Sequence, residues 1–249
     1  MTKPLPPHPV LRAHYATQQD RPAFVRSLFD RTALQYDWAN AVFFLGTGAW
    51  YRRHALAAAG LRPGMRLLDV AVGTGWVAEA AQHILGTGTG IVGIDVSVGM
   101  LRAARRRLQC PLVAALAEAL PLPDACFDFV TMGYALRHVG DLAVAFREFH
   151  RVLRPGGHLL MLEIGRPRGA LQFACARFYL KRLLPTACRL LSPRTSLAAL
   201  MEYYWDTIES CVAPAEVLAE LAECGFTAPS CKTELGLFQA YRARRPAQL

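Results

Sequence analysis

Lysine is almost missing from this chain. Only Lys3, Lys181 and Lys232 stand among 28 basic residues, and the 19 acidic residues leave a formal net charge of +9. That imbalance suits an anionic membrane surface or an acidic substrate. It can equally be solvated helix faces at Arg52-Arg53, at Arg102 with Arg105-Arg106-Arg107, and at Arg242 to Arg245. No nucleic-acid-binding motif accompanies the charge, so a nucleic-acid partner is not expected. No uninterrupted apolar run reaches the roughly 18 residues that span a bilayer. The Pro-rich stretch Met1 to Pro9 lacks the apolar core of a signal segment. The seven cysteines form no Cys-x-x-Cys pair and no metal-like spacing with histidine, so no metal site is expected. Their odd number in a chain of 249 residues also argues against a disulfide scaffold and for a reducing cytoplasmic setting. Internal repeats and low-complexity tracts are absent too.

What is present is organised around Arg66-Leu67-Leu68-Asp69-Val70-Ala71-Val72-Gly73-Thr74-Gly75-Trp76-Val77-Ala78. An apolar run enters a Gly-Thr-Gly turn and a helix-forming segment follows. Glycine lets a ligand lie against the backbone, and the free N–H groups of the helix start suit an anionic group. A second apolar run, Ile91-Val92-Gly93-Ile94, ends in Asp95, where an acid can accept from ribose hydroxyls. Three readings stand at this point. They are an adenosine-containing cofactor without phosphates, a nicotinamide or flavin nucleotide (Gly73-x-Gly75-x-x-Ala78 fits the loose fingerprint), and a plain structural turn.

Along the chain, 1–20 reads as a flexible arm and 21–249 as one domain. Within it, 21–60 is a helical leader carrying Phe29-Asp30, Ala33, Tyr36-Asp37 and Asn40. That cluster is either helix capping by Asp37 or Asn40, or a lid whose Tyr36 closes over a ligand. Strands are expected at 66–71, 91–95, 111–115, 127–133 and 157–163, and helices at 76–85, 97–109 and 141–153. This alternation predicts a mostly parallel α/β sheet with helices on both faces, and a ligand site beyond the carboxyl ends of its strands. Gly73, Asp95, Glu118 and Tyr134 to His138 all fall at such ends. Segment 170–191 is largely apolar with Arg177, Lys181, Arg182 and Arg189 and is broken by Pro185; it reads either as part of a helical insertion (170–210) that closes the substrate pocket or touches lipid, or as a packed surface helix. Helices at 196–209 and 214–224 and an edge hairpin at 226–233 and 235–242 complete seven strands.

The motifs in order are Leu68-Asp69-Val70-Ala71-Val72-Gly73-Thr74-Gly75, Asp95-Val96-Ser97-x-x-Met100-Leu101, Ala117-Glu118-x-Leu120-Pro121-x-Pro123-Asp124, and Leu153-Arg154-Pro155-Gly156-Gly157. This series resembles the class I S-adenosylmethionine-dependent methyltransferases. Tyr36-Asp37-x-x-Asn40 and Leu136-Arg137-His138-Val139 make it similar to the ubiquinone/menaquinone C-methyltransferase family, from about Phe24 to the C-terminus. The resemblance displaces the nicotinamide reading and implies a Rossmann-like fold with a helical N-terminal lid and S-adenosyl-L-methionine as cofactor. Its implied cofactor residues are Asp69, Ala71, Gly73, Thr74, Gly75, Asp95, Val96, Met100, Ala117, Glu118 and Tyr134. Two positions depart from the family. Leu116 stands where Asp or Asn accepts from the adenine amino group, and His138 stands where the family has asparagine.

The implied chemistry is C-methylation of a quinone precursor or related hydroxyaromatic. A phenol ionises near 10 and histidine near 6.5, so a positioned base helps at neutral pH. His138 is the expected base or water relay, Arg137 the stabiliser of the phenolate, and Tyr36 the closing residue. A structural salt bridge from Arg137 to Asp37 or Glu163 is the competing reading. O- or N-methylation of a specialised small molecule, and a methyltransferase-like protein that transfers nothing, are the alternatives. Peripheral membrane contact and a homodimer stay open as partners of a cytoplasmic protein.

Overall fold

The computed structural model describes residues 4–37, 48–86, 90–191 and 196–247; the side chain of residue 191 is also excluded. Asn40 of the leader motif lies outside these. The chain begins with α1 (Arg21–Thr32) and α2 (Gly48–Ala58). It then alternates through β1 (Leu67–Val70), α3 (Trp76–Leu85), β2 (Ile91–Asp95), α4 (Val98–Ala104), β3 (Leu112–Ala114), β4 (Phe127–Gly133), α5 (Leu142–Val152) and β5 (Leu153–Ile164). The helical stretch α6 (Ala170–Phe178), a π turn (Tyr179–Leu183) and α7 (Leu184–Leu191) leads to α8 (Leu197–Ser210) and α9 (Pro214–Glu223). The hairpin β6 (Thr227–Glu234) and β7 (Phe238–Arg244) closes it.

The seven strands lie in the order β3-β2-β1-β4-β5-β7-β6. All neighbouring pairs from β3 to β5 are parallel, and β7 runs antiparallel to β5 and β6. The Rossmann-like sheet, the five inner strands and the edge hairpin therefore match the alternation in the sequence. Central β1 is buried at every position, which is why Leu67, Leu68 and Val70 are apolar without alternation, Asp69 being the polar exception. One core on one face unites Val25, Leu56, Ala81, Phe129, Leu162, Tyr203 and Trp205. The other face packs Val130, Met132, Phe146, Phe149 and Leu221.

Several boundaries differ from expectation, each for a local reason. Helix α4 stops at Ala104 rather than running to 109, and the Arg105 guanidinium caps the turn by donating to the Cys110 carbonyl at 2.7 Å. Strand β5 begins at Leu153 and takes in the Arg154-Pro155-Gly156-Gly157 turn, with a register shift against β4 between Phe127 and Phe129. Pro185 does not break its helix. The π turn directly before it opens the backbone where the ring would meet the preceding turn, and the helical path continues.

The expected flexible arm is instead docked over 4–20. The Leu5 amide donates to Asp141 Oδ1 at 3.3 Å, and the Leu142 amide donates to the Leu5 carbonyl at 3.0 Å. The Val212 amide donates to the Pro7 carbonyl at 2.8 Å. His8 and Tyr15 are buried. The arm thus pairs backbone groups at the start of α5 and in the α8–α9 connection.

Candidate active site

The site stands at the carboxyl ends of β1, β2 and β4, where a turn leads each strand out of the sheet. After β1 the chain turns through Ala71 and Gly73, both at positive φ, into α3. A Cβ built on Gly73 would have only the Ala71 carbonyl near it, at 4.0 Å, so the space over this glycine is open to a ligand. Gly75 is different. A Cβ there would stand 2.8 Å from Leu108, so this glycine serves close helix packing and does not line the cleft, contrary to the expectation of a cofactor contact.

Asp95 ends β2. Its carboxylate accepts from the Gly73 amide and from the Ser97 amide, both at 2.8 Å, and so joins the two loops. Burial raises its pKa to about 6 against the pull of those amides, which leaves it ionised at neutral pH. Asp69 lies one layer beneath the loop. It is fully buried, and neither carboxylate oxygen has a hydrogen-bond partner within 3.5 Å among the described residues. Burial drives its pKa to about 8, opposed by the Ala78 amide and Arg52. It supports the loop from below and does not face the cleft.

Two acids of the leader reach these loops. Asp30 Oδ1 accepts from Ser97 Oγ at 2.6 Å and from the Gly99 amide at 2.9 Å. Asp37 Oδ1 accepts from Thr74 Oγ1 at 2.6 Å and Trp76 Nε1 at 2.9 Å, and Arg107 pairs with its other oxygen at 3.2 Å. Asp37 therefore does not pair with Arg137. It clamps the leader to the glycine turn.

The result is an open cleft. It is lined at one end by Ala71, Gly73, Thr74, Asp95, Val96 and Met100, with Ala117, Glu118 and Tyr134 beside them. Glu118 also accepts from the Gly140 amide at 2.6 Å, which ties the β3 side of the cleft to the loop before α5. Leu116 lines the same end and is 43% exposed, with no side-chain acceptor to offer a ligand. These residues suit an adenosyl sulfonium. A carboxylate sits where ribose hydroxyls need an acceptor, an uncovered glycine backbone flanks it, and the aliphatic floor of Val96 and Met100 suits a purine.

The other end is aromatic. Phe29, Tyr36 and His138 line it with Arg21, Pro22 and Val25. Tyr204 donates to the Tyr36 hydroxyl at 2.8 Å. The His138 ring stacks on Tyr203 and Tyr204 and meets the edge of Phe29, with centroids 5.3, 5.9 and 5.1 Å away. Its Nδ1 stands 3.2 Å from the Tyr203 hydroxyl, and its buried Nε2 has no partner among the described residues. Burial and the neighbouring Arg137 charge hold the imidazole well below its ordinary pKa, so it is neutral at physiological pH.

Arg137 does not line this end. It is fully buried in an ion pair with Glu163 and lies over the face of Tyr204 at 4.9 Å. A guanidinium that deep requires a counter-charge, and Glu163 on β5 supplies it. The expected direct contact with a phenolate is replaced by a structural position behind His138. Two cations do line the cleft, Arg21 and Arg52, and the sequence reading gave neither a role. Arg21 Nη2 donates to the Arg137 carbonyl at 2.6 Å, the guanidinium also acts on the Tyr203 hydroxyl, and the residue is 1% exposed. Tyr203, Tyr204 and Asp30 were also missed. Asp30 had a signal, since it sits seven residues before Asp37 in the leader.

Comparison with known proteins follows this geometry. A SAM-dependent methyltransferase from Thermotoga maritima, a possible histamine N-methyltransferase, is similar with a TM-score of 0.63 at 19% identity, over 88% of this chain and 99% of that one. Haemonchus contortus phosphoethanolamine N-methyltransferase 2, in complex with S-adenosyl-L-methionine, is similar with a TM-score of 0.60 at 16% identity, over 93% of this chain and 60% of that one. At these identities the likeness speaks to the fold. Fold, cleft and sequence together define an S-adenosylmethionine-dependent methyltransferase of class I. The sequence profile of the ubiE/COQ5 methyltransferase family matches residues 15–230, and the chain belongs to that family. A demethylmenaquinone methyltransferase of Mycobacterium sp. (strain KMS) is 40% identical over 174 residues, 70% of this chain and 74% of the relative. One from Mycobacterium bovis (strain BCG / Pasteur 1173P2) is 36% identical over 206 residues, 83% of this chain and 85% of the relative.

Proposed function

We propose that this methyltransferase adds a methyl group to a ring carbon of a reduced quinone precursor of the demethylmenaquinone type. The observation that supports the substrate class most is the aromatic end of the cleft, where the His138 ring, whose buried Nε2 has no partner among the described residues, lies with Phe29, Tyr36 and Tyr204. The kinship with demethylmenaquinone methyltransferases supports the same reading.

S-Adenosyl-L-methionine, when bound, supplies an electrophilic methyl group. Asp95 would take the ribose hydroxyls, Gly73 and Thr74 would hold the amino-acid part, Met100 and Val96 would floor the adenine, and the backbone of Ala117-Glu118 would meet its edge. With leucine at 116, polar recognition of the adenine amino group falls to the backbone. Tyr36, Phe29 and Val25 hold the acceptor ring and exclude water, which accounts for much of the rate through positioning.

His138 Nε2 accepts the hydrogen bond of a ring hydroxyl and draws the proton as charge moves toward the attacking carbon. Its low basicity favours that partial transfer, or relay to a water, over storing the proton on the ring. Arg21, at the wall of this end, lends positive charge to the ring oxygen that gains charge. Arg137 acts through its neighbours, fixing the backbone at 137–138 and the face of Tyr204.

The test is incubation of the wild-type chain with S-adenosyl-L-methionine and reduced demethylmenaquinone. The expected product carries one added methyl on the ring by mass and fragmentation. The Asp95→Ala variant should give none and should lose donor binding in calorimetry. Absence of any methylated product, with donor binding intact, would overturn the substrate assignment.

A further inference from the structure

The helical stretch 170–191 has two opposite faces. Leu180, Leu184 and Cys188 are buried against the body of the protein, and Phe173 meets Trp205 of α8 with centroids 5.5 Å apart. On the other side Leu171, Phe178, Leu183 and Leu190 are exposed, by 78, 63, 51 and 77%. No residue of α6 is buried. The spacings 171 to 178 and 183 to 190 are each two helical turns. The π turn between 179 and 183 inserts one residue, so the step from 178 to 183 completes a turn and keeps the stripe on one face. In an unbroken α-helix Leu183 would rotate well away from Phe178.

The charge around this stripe has one sign. Between Glu163 and Glu202 the sequence holds seven Arg or Lys residues and no acid. Lys181 and Arg189 turn back to pair with Asp206 and Glu202 of α8, which fixes the stretch to the body. Arg177 and Arg182 are exposed and have no acid partner among the described residues. They stand with Phe173, Phe178 and Lys181 around a shallow hollow, an apolar floor with a cationic rim.

We infer that this face docks the enzyme on an anionic bilayer, with the four apolar side chains entering the acyl boundary and Arg177 and Arg182 meeting lipid phosphates. An apolar stripe flanked by basic residues, lying parallel to the surface, is the arrangement that binds such an interface. The inference deepens the proposed function, on which it rests for its purpose: an acceptor with a long apolar tail resides in the membrane. The same α8 that carries this stretch presents Tyr203 and Tyr204 to His138, so the docking face and the acceptor end of the cleft share one helix.

The test is flotation of the full chain with vesicles of phosphatidylcholine alone and of phosphatidylcholine with phosphatidylglycerol. The variants are a quadruple replacement, Leu171→Gln, Phe178→Gln, Leu183→Gln and Leu190→Gln, and a double replacement, Arg177→Gln with Arg182→Gln. The wild type should float with the anionic vesicles and release as salt rises. The quadruple variant should bind about tenfold more weakly, and the double variant should lose its preference for anionic lipid. Both should keep wild-type affinity for S-adenosylhomocysteine, which shows that they fold. Turnover of a short-tailed, water-soluble hydroquinone should stay unchanged in the quadruple variant, while turnover of a vesicle-held acceptor falls. Equal vesicle binding by wild type and variants would overturn the inference, as would no binding by wild type. So would a wild-type dimer that the quadruple variant converts to monomer, because a second copy would then cover this face. Lost vesicle binding in the variants, in a wild type that methylates no hydroquinone, would instead uphold the surface and reject the substrate reading.

Discussion

Asp69 is the residue whose charge the fold tolerates least. Its pKa rises from 3.8 to about 8 on burial, so the folded protein binds this proton more tightly than the unfolded chain does. The contribution to stability is therefore full at low pH and is lost as pH rises from about 4 toward about 8. Asp69→Asn keeps the shape and removes the charge. Thermal unfolding without donor should show the variant gaining on the wild type as pH rises through that window, and a constant difference would contradict the assignment. His138 shifts the opposite way. Its imidazole stays neutral far below 6.5, so the acid limb of kcat/KM should lie well under that value. His138→Asn should lower kcat by about a hundredfold or more, the low end of what a positioned base contributes. An acid limb near 6.5, or full turnover of the variant at neutral pH, would remove His138 from the proton path. Of these residues, the sequence placed Asp95 and His138 by their position at strand ends. Arg21 gave no sign, because a lone arginine at the start of a helix looks like any solvated one until the tertiary fold closes over it.

At the scale of elements, the leader and the two donor loops behave as one unit. Asp30 holds the N-terminus of α4 and Asp37 holds the glycine turn, so the leader is tied to both loops proposed to hold the donor. Asp37→Ala leaves Thr74 and Trp76 without their acceptor. A hydrogen bond to a charged group contributes roughly 1.5–3 kcal/mol, which corresponds to about a tenfold to hundredfold weaker donor binding if the loop order is lost in full. Calorimetry with S-adenosylhomocysteine measures this, and unchanged affinity would show that the clamp is incidental. The strands and most helices were legible because their apolar runs are buried on both sheet faces. The docked arm was not, because the partners of Leu5, Pro7 and His14 are Asp141, Val212 and Asp206, far along the chain, and nothing local in the arm announces them. Nor was the π turn, since Pro185 reads as a break unless the register before it can widen.

The whole molecule joins a sulfonium donor site built on strand ends to an aromatic acceptor site built by the leader and α8. The glycine turn and Asp95 were readable because their chemistry is local. The acceptor end was only half readable, because Tyr203 and Tyr204 arrive from a helix far along the chain and meet His138 only when α8 packs across the sheet. The two ends together make carbon methylation of a hydroxyaromatic ring the central claim. It is tested most directly by the mass of the product formed from an acceptor carrying deuterium at the ring carbon to be methylated. Carbon methylation must expel that deuterium, so the account predicts a product with one added methyl and no ring label. A methylated product that keeps the label would place the methyl on oxygen and contradict the claim.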